Sequence, residues 1–599
     1  MNINWNWLRE GTIRMDPSSN FLNDDSALAS VVDQLNSYLM DRHPDFFGNT
    51  STHPILSAKR SKVVHDNLWG TVRFSWRELS LIDSPVMQRL RDIHQTGLAF
   101  HVYPSARHSR FEHCLGAANI ASRIYDALLH KQRGEIRDIA KAVLPKEDPD
   151  LTILRFKQEL RLAALLHDAG HSLFSHTSER VYERLKPLQE ATKELTAFVG
   201  KEKGAGEVLS FCLALTPSLG GLLDRAKSNL IGDDAFDDYD GPIDLRNVAL
   251  IIVGRSAHPY LQFLGDIVSS GFDADKLDYL LRDAKAAGLP LNYDLDRYLY
   301  DIRVQKEIIA DGDGELVNLF SRIGQGTARR LQNKAISRFD YYDTYRLRLS
   351  RRAINVIEQI VICKMMLFSY IYHHGKVRAS EGLLERLLRR ELGAWRDQGE
   401  ADGDIICRFI EMTDASLRHM PVNKTTDPIA NDCAYRLVNR LLPREVYSIS
   451  ASSATHAADE MVKAFMRRFH ERKAREQVIT ELEQAIGEEL VKTEPTLGPN
   501  VADALARAGV WVDAPKPPKF EDVDAMVGNP MNMQSEVSFA QIFPIHKWTE
   551  AYQHYKYQIR IFSYSEHWKL TSDSAKAAMK RVLGISGEAF YDSIRRDRH

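Results

Sequence analysis

The sequence predicts a mostly α-helical protein with a small β-hairpin insertion and a mixed, mainly helical C-terminal region. Three observations carry this. Apolar residues recur at three- and four-residue intervals through most of residues 58–300, the repeat of a helix with one buried face. Two β-rich runs in "DIRVQKEIIADGDGELVNLF" flank Asp311-Gly312-Asp313-Gly314, which reads as a hairpin turn. Helical periodicity then resumes from about 328 to 395.

Taken in order, residues 1–57 form a lead-in with one weak helix at 24–41. Residues 58–395 form the core, with helices expected at 84–95, 111–130, 152–167, 172–186, 205–215, 244–253, 259–269 and 273–285. Residues 396–599 form a C-terminal region opened by the loop "RDQGEADGDI". Within it, 455–490 is helical and highly charged, and "DAPKPPKFED" at 513–522 is a linker. The tail from 537 mixes aromatic, strand-like segments with a helix near 572–583. The acidic run "GDDAFDDYDG" at 232–241 fails the calcium-loop spacing at Phe236 and reads as a solvated loop.

Composition bounds the function. The chain of 599 residues is 44% apolar and 27% charged, with a formal net charge of -2. Its pI is near 6.9 and its mean hydropathy -0.34. No global charge favours nucleic acid or an anionic membrane, so any anion site is local. The five scattered cysteines form neither a disulfide framework nor a zinc site, which fits a reducing compartment. "MNINWNWLREGTIRM" lacks the basic and apolar regions of a signal peptide. No run reaches the ~18 consecutive apolar residues of a membrane helix. The expectation is a cytoplasmic protein with no membrane partner.

The stretch "AALLHDAGHSLFSH" at 163–176 concentrates the chemistry. Ile153, Phe156, Leu160 and Ala163 or Ala164 continue in register to His167, which therefore ends a helix on its apolar face. Asp168 follows, and a carboxylate withdrawn from water needs a cation or several donors. Two readings stand: a pair of metal ligands, or a satisfied core histidine beside a helix cap. A second cluster offers His108, Arg110 and His113, and a third offers Asp273, Asp275, Lys276, Asp278, Arg282 and Asp283. A set of two histidines and two aspartates suits Mn, Fe, Ni, Co or Mg better than a structural zinc.

The order His113, then His167-Asp168, then Asp275 resembles the HD-domain phosphohydrolases. "IDSPVMQRLRDIHQTGLAFHVYPSARHSRFEHCLG", "LLHDAGHSLFSH" and "DADKLDYLLRDA" are similar to the dNTP triphosphohydrolase branch of that family. That branch holds the dGTPase-like and sterile-alpha-motif HD-domain enzymes. "MMLFSYIYHHGKVRASEGLL" resembles its later helix. The resemblance covers roughly residues 58–390. Several spaced motifs in order are more specific than a lone His-Asp pair.

The resemblance implies a helical core around a divalent metal held by His113, His167, Asp168 and Asp275. It implies water attack on the α-phosphorus of a dNTP, giving a deoxynucleoside and tripolyphosphate. Arg110 matches a phosphate-clamping arginine, a role that suits a guanidinium. Lys276, Tyr279 and Lys364 match positions on the phosphate side; Gln95, Asp283 and Tyr372 match positions on the sugar side. His171 and His176 match histidines beside the α-phosphate, with His176 the general acid and Glu179, one helical turn on, its orienting partner. The branch often carries a further histidine in a His-Glu pair, where Lys201-Glu202 stands here.

"KVVHDNLWG" resembles a strand that contributes to an activating-nucleotide site, with Lys62 and Val63 at matching positions. Asp83 and Arg91 match positions that bind a regulatory nucleotide in some members. Homo-oligomers are common in the family, and one is expected here. For a bacterial source, dNTP depletion during phage infection is a natural role. The basic, tyrosine-bearing stretch "ARRLQNKAISRFDYYDTYRLRLSRRAINV" keeps an alternative open: cleavage of nucleic-acid ends or another phosphate ester. A third reading is a nucleotide-sensing regulatory subunit without turnover.

Overall fold

The computed structural model describes residues 26–48, 61–226, 239–310, 341–419, 427–450, 472–516, 520, 526–529, 532–538 and 543–583. The frame of the site is a pair of packed helices, Arg110–Val143 and Pro149–Leu166. The first starts where Ser109 Oγ accepts from the Glu112 amide. Its helical geometry breaks at Gln132 (φ −133°, ψ 37°). There the Gln132 amide pairs with both backbone groups of Val304, at 2.8 Å each, and so docks the strand that carries Val304. The second helix starts on the Asp148 carboxylate with Pro149 in its first turn, where a missing N–H costs nothing.

The Ala274–Ala286 helix packs against the 110–143 helix. That close approach requires Gly116, because a Cβ there would overlap Asp278 Oδ1 and Arg282 Nη2. Ala27–Arg42 buries Leu28, Val31, Val32, Leu35 and Leu39 against the Lys186–Val199 and Ala205–Ala214 helices. Each such side chain stabilises the fold by about 1.5–3 kcal/mol before chain entropy is counted. Asp402–Glu411 packs on the same 27–42 helix, so the main apolar core runs past residue 395 and includes Phe409 and Leu437.

Among the described residues three small sheets decorate the helices. β1 (Lys62–Asp66) and β2 (Gly70–Phe74) form an antiparallel hairpin. β3 (Ile302–Ala310) pairs antiparallel with β4 (Tyr341–Ser350), Ile302 opposite Leu349 and Ala310 opposite Tyr341. β5 (Arg444–Ile449) and β6 (Trp511–Asp513) lie in one sheet; β7 (Met526–Asn529) and β8 (Asn532–Ser538) extend β4. β9 (Ile559–Ser563) is the centre of the β5–β9–β6 sheet. A second apolar cluster joins that sheet to the helices Arg472–Thr493, Val501–Ala508 and Trp568–Leu583.

The structure is mostly helical, as the periodicity indicates, and it corrects several elements. Residues 341–350 are a strand rather than part of a helix. In "YYDTYRLRLS" the alternation of a half-buried sheet is masked by Arg346 and Arg348, which share the face of buried Thr344 and Ser350 and pair there with Asp266 and Glu307. Among the described residues β3 pairs with β4; the turn at Asp311–Gly314 and the run after it lie outside the described residues. The helix expected at 84–95 shrinks to Pro85–Gln88 plus a 3-10 turn at Arg89–Asp92, because Ile93 turns extended. The helix expected at 172–186 starts only at His176, after Phe174 and Ser175 adopt positive φ. The amphipathic 186–199 helix escapes the sequence reading altogether. The linker expected at 513–522 begins inside β6, where Asp513 pairs with Arg378, and Phe520 is buried. The expected loop at 396–405 is only 398–401. Ile354–Tyr372 is long and apolar enough by composition to cross a membrane, with hydropathy 1.5, although Lys364 interrupts it. Here it places Val356, Ile357, Ile360, Val361 and Leu367 in the core.

Candidate active site

Four side chains converge where the 110–143, 149–166 and 274–286 helices meet. His113 sits one turn into the first, fully buried. His167 caps the end of the second, and Asp168 follows. Asp275 lies in the first turn of the third. The ligand atoms of His113, His167 and Asp275 fall within 4.8 Å of one another. Asp168 joins them: its oxygens lie 3.6 Å from each histidine Nε2.

The tautomers are fixed from outside. His113 Nδ1 donates to Asp278 Oδ2 at 2.8 Å, and His167 Nδ1 donates to the Ala164 carbonyl at 2.7 Å. Each histidine thereby presents Nε2 inward, and the two nitrogens are 3.2 Å apart. Two lone pairs and two carboxylates aimed at one point demand positive charge. Burial pushes the His113 imidazole down, but hydrogen bonds to Asp275 and Asp278 outweigh it and raise it to about 10. Burial likewise opposes the charged forms of Asp168 and Asp275. Arg110 holds Asp168 well below the carboxylate range, and His113 and His167 do the same for Asp275. A divalent cation would take the place of the proton that this charge demands. The residues present fit one.

Around this centre lie the other residues singled out from the sequence. Arg110 is buried; Nη1 pairs with Asp168, Nε donates to Ser175 Oγ at 2.9 Å, and Nη2 has no acceptor among the described residues. His171 is buried, with Nε2 3.4 Å from Asp168 Oδ1 and Nδ1 without a hydrogen-bond partner. His176 is 71% exposed, and its Nδ1 meets Glu179 Oε2 at 2.9 Å. Burial pushes the Glu179 carboxyl up, but the His176 hydrogen bond and the nearby His171 and His176 charges hold it down at about 2. Its other oxygen accepts from the Gly206 amide at 2.9 Å. Gly206 also lets the backbone lie against the His171 ring, where a Cβ would overlap it. Gln95 Oε1 is buried without a donor.

Asp283 and Tyr372 are joined, the phenol donating to Oδ2 at 2.5 Å, while His108 Nε2 meets Oδ1 at 2.7 Å. Tyr279 lies edge-on to His113, ring centroids 6.5 Å apart. Lys276 is tied to Asp273 at 2.6 Å, and Lys364 lies 6.0 Å from the Phe520 ring. The four positions of the implied regulatory site are dispersed over several elements. Lys62 and Val63 are exposed on β1. Asp83 is the C-cap of the Trp76–Ile82 helix, and Arg91 stacks on Phe111 at 3.7 Å.

Three groups escape the sequence reading. Lys201 and Glu202 are exposed; the buried cation of that loop is Lys203, bonded to Glu207 at 3.1 Å and Ser269 at 3.3 Å. Asp414 is buried far along the chain and accepts from the His94 and Phe174 amides and from His94 Nδ1. It thereby ties the Gln95 loop to the turn before His176. Ser175 closes that turn, accepting from Arg110 and donating to the His94 carbonyl at 2.7 Å. Positive φ at Phe174 (48°) and Ser175 (58°) marks it as strained, a common device for aiming a functional side chain. Spacing in the sequence carries no trace of a partner such as Asp414.

Residues 110–216 match the model of the HD domain. An uncharacterized protein of Methanocaldococcus jannaschii is 25% identical over 332 residues, spanning 55% of this chain and 50% of that protein. The deoxynucleoside triphosphate triphosphohydrolase SAMHD1 homolog of Dictyostelium discoideum is 28% identical over 268 residues, 44% of each chain. The deoxynucleoside triphosphate triphosphohydrolase SAMHD1 of Mus musculus is 31% identical over 248 residues, 41% of this chain and 34% of that one. The chain thus spans half or less of the length of these relatives. A hypothetical protein from Aquifex aeolicus, solved by crystallography, shares the fold with a TM-score of 0.50 at 20% identity, covering 86% of this chain and 99% of that one.

Proposed function

We propose, from the match of residues 110–216 to the HD domain and the likeness to deoxynucleoside triphosphate triphosphohydrolases, that the chain is a metal-dependent dNTP triphosphohydrolase. The observation that carries the reading is the inward pair of Nε2 atoms on His113 and His167, flanked by Asp168 and Asp275 and bordered by unspent polar atoms. Arg110 Nη2 and Gln95 Oε1 are buried without hydrogen-bond partners among the described residues, and such groups persist where a ligand completes them.

A divalent ion held by His113, His167, Asp168 and Asp275 would supply Lewis acidity and an acidified water. The rest is done by the chain. Arg110 turns Nη2 to a phosphate oxygen while its other nitrogens stay anchored on Asp168 and Ser175. His171 stands beside the same phosphate, its Nε2 on the Asp168 side. Water attacks the α-phosphorus and the bond to the 5′-oxygen breaks. His176, held by Glu179 through Nδ1, gives the proton from Nε2 to that oxygen. The products are a deoxynucleoside and tripolyphosphate. The joined Tyr372 and Asp283 close the sugar side against a 2′-hydroxyl, with Gln95 on the 3′-hydroxyl.

We carry three further proposals from the resemblance: an activating nucleotide at Lys62, Val63, Asp83 and Arg91, a homo-oligomer, and dNTP depletion as the cellular role. The alternative of a nucleic-acid substrate gains little from β4, whose Arg346 and Arg348 are spent on Asp266 and Glu307. The test is a screen of every dNTP and NTP, singly and in mixtures, with Mn, Mg or Fe. Deoxynucleoside release from dNTPs supports the reading. Trimming of labelled single strands with inert dNTPs overturns it.

A further inference from the structure

We propose that the β1–β2 hairpin is the outer part of the metal centre: Asp66 and Trp69 in its turn are positioning residues for His113, so that docking the hairpin and binding the metal are one coupled equilibrium. The inference rests on the metal reading of His113 and not on the identity of the substrate.

The link is short and buried. Asp278 fixes His113 through Oδ2. Its Oδ1 accepts from Trp69 Nε1 at 2.5 Å and from Arg282 Nη2 at 2.9 Å, and Arg282 Nε returns to Oδ2 at 2.7 Å. The same Arg282 Nη2 reaches Asp66 Oδ2 at 2.9 Å. Asp66 Oδ1 in turn shapes the hairpin turn, accepting from the Leu68 and Trp69 amides at 2.7 and 2.9 Å. One carboxylate therefore both presents Trp69 and anchors the arginine that steadies Asp278. Asp66, Asp278 and Arg282 are all buried.

The hairpin is also held by Val64, Leu68 and Trp69, which pack partly buried on the core, and by Arg161 and Lys285, which donate to the Arg73 and Asn67 carbonyls. It is a two-stranded sheet with no further strand among the described residues, a unit only marginally stable alone. Lys62, Val63 and His65 are exposed, and only Val72 and Phe74 of its apolar residues are buried. The turn network is the part of this docking that runs to a ligand of the metal centre. Partners that orient a metal-binding histidine set its tautomer and basicity. Linkage is reciprocal: if the hairpin steadies the ligand, the metal steadies the hairpin. Any group that binds β1 then acts on the metal through four side chains.

The test uses the full chain and Mn(II). Hydrogen exchange of the amides of residues 62–74 is compared with and without Mn(II), and Mn(II) affinity is measured by chelator competition for the wild type, Trp69→Phe and Asp66→Asn. The expected result is slower exchange across the hairpin when Mn(II) is bound, and affinity about tenfold weaker in Trp69→Phe. Equal exchange in both states with Mn(II) bound, or wild-type affinity in a folded variant, overturns the coupling. The exchange comparison on the wild type decides the matter if a variant fails to fold. A wild type that binds no Mn(II) sinks the metal reading and this inference together. Turnover enters neither arm, so inert dNTPs leave the coupling standing.

Discussion

His113 and His167 meet Nε2 to Nε2 at 3.2 Å, each with its Nδ1 hydrogen already committed, to Asp278 and to the Ala164 carbonyl. Two imidazoles so constrained aim their inner nitrogens at one point, where a shared cation would replace the proton that His113 otherwise donates to Asp275 at 3.0 Å. Replacing either one should empty the centre. Mn content of the dialysed protein is expected to fall from about one ion per chain to near none in His167→Ala and in His113→Ala. Retention of a full ion in His167→Ala would contradict the assignment.

Arg110 and Asp168 form a buried ion pair, both largely withdrawn from solvent. Removing one partner strands the other. Arg110→Ala should destabilise the metal-free protein by about 3–5 kcal/mol, read by denaturant titration. Arg110→Lys keeps the charge but loses the second donor to Ser175, so it should restore much of the stability and little of the turnover.

Glu179 is held at about 2 against an ordinary value of 4.5. A carboxyl depressed by folding contributes stability above its unfolded value, and that contribution is lost as pH falls toward the folded one. The amount is roughly 3 kcal/mol at neutral pH. Glu179→Gln should therefore be less stable at pH 7, and its stability should fall less steeply than that of the wild type between pH 5 and 3. Parallel pH–stability curves would show that the His176 contact does not hold the charge.

Asp414 joins two turns, through the amides of His94 and Phe174, that flank Gln95 and His176. Misplacing reacting groups by about an ångström can cost on the order of a hundredfold in rate. Asp414→Ala should lower kcat by about 10- to 100-fold while leaving the Mn content unchanged. A fall in bound Mn equal to the fall in kcat would place the effect at the metal centre instead.

Much of this site is legible in the amino-acid sequence, for physical reasons. The apolar register from Ile153 through Leu160 puts His167 at a buried helix end, and the motifs around His113 and Asp275 lie on helices whose periodicity is strong. What could not be read is what depends on distant pairing. Asp414 meets Phe174 across 240 residues, and β4 finds β3 across residues 311–340. In "GKEKGAG" three charged residues sit in a row, and only packing decides that Lys203, and not Lys201, is the buried one. The break before His176 arises from positive φ at Phe174 and Ser175, residues that carry no local signal for that conformation. Turn and pairing errors thus gather where tertiary contacts override local preference.

The central claim is metal-dependent attack of water on the α-phosphorus, and product analysis in ¹⁸O-water tests it most directly. Mn-loaded protein is incubated with dNTPs, singly and mixed, and the products are resolved by ion-pair chromatography with mass detection. The account predicts deoxynucleoside and tripolyphosphate, with the ¹⁸O in the tripolyphosphate, and no products from His167→Ala. Label in the deoxynucleoside, release of pyrophosphate with a monophosphate, or no turnover of any dNTP by metal-loaded protein would contradict it.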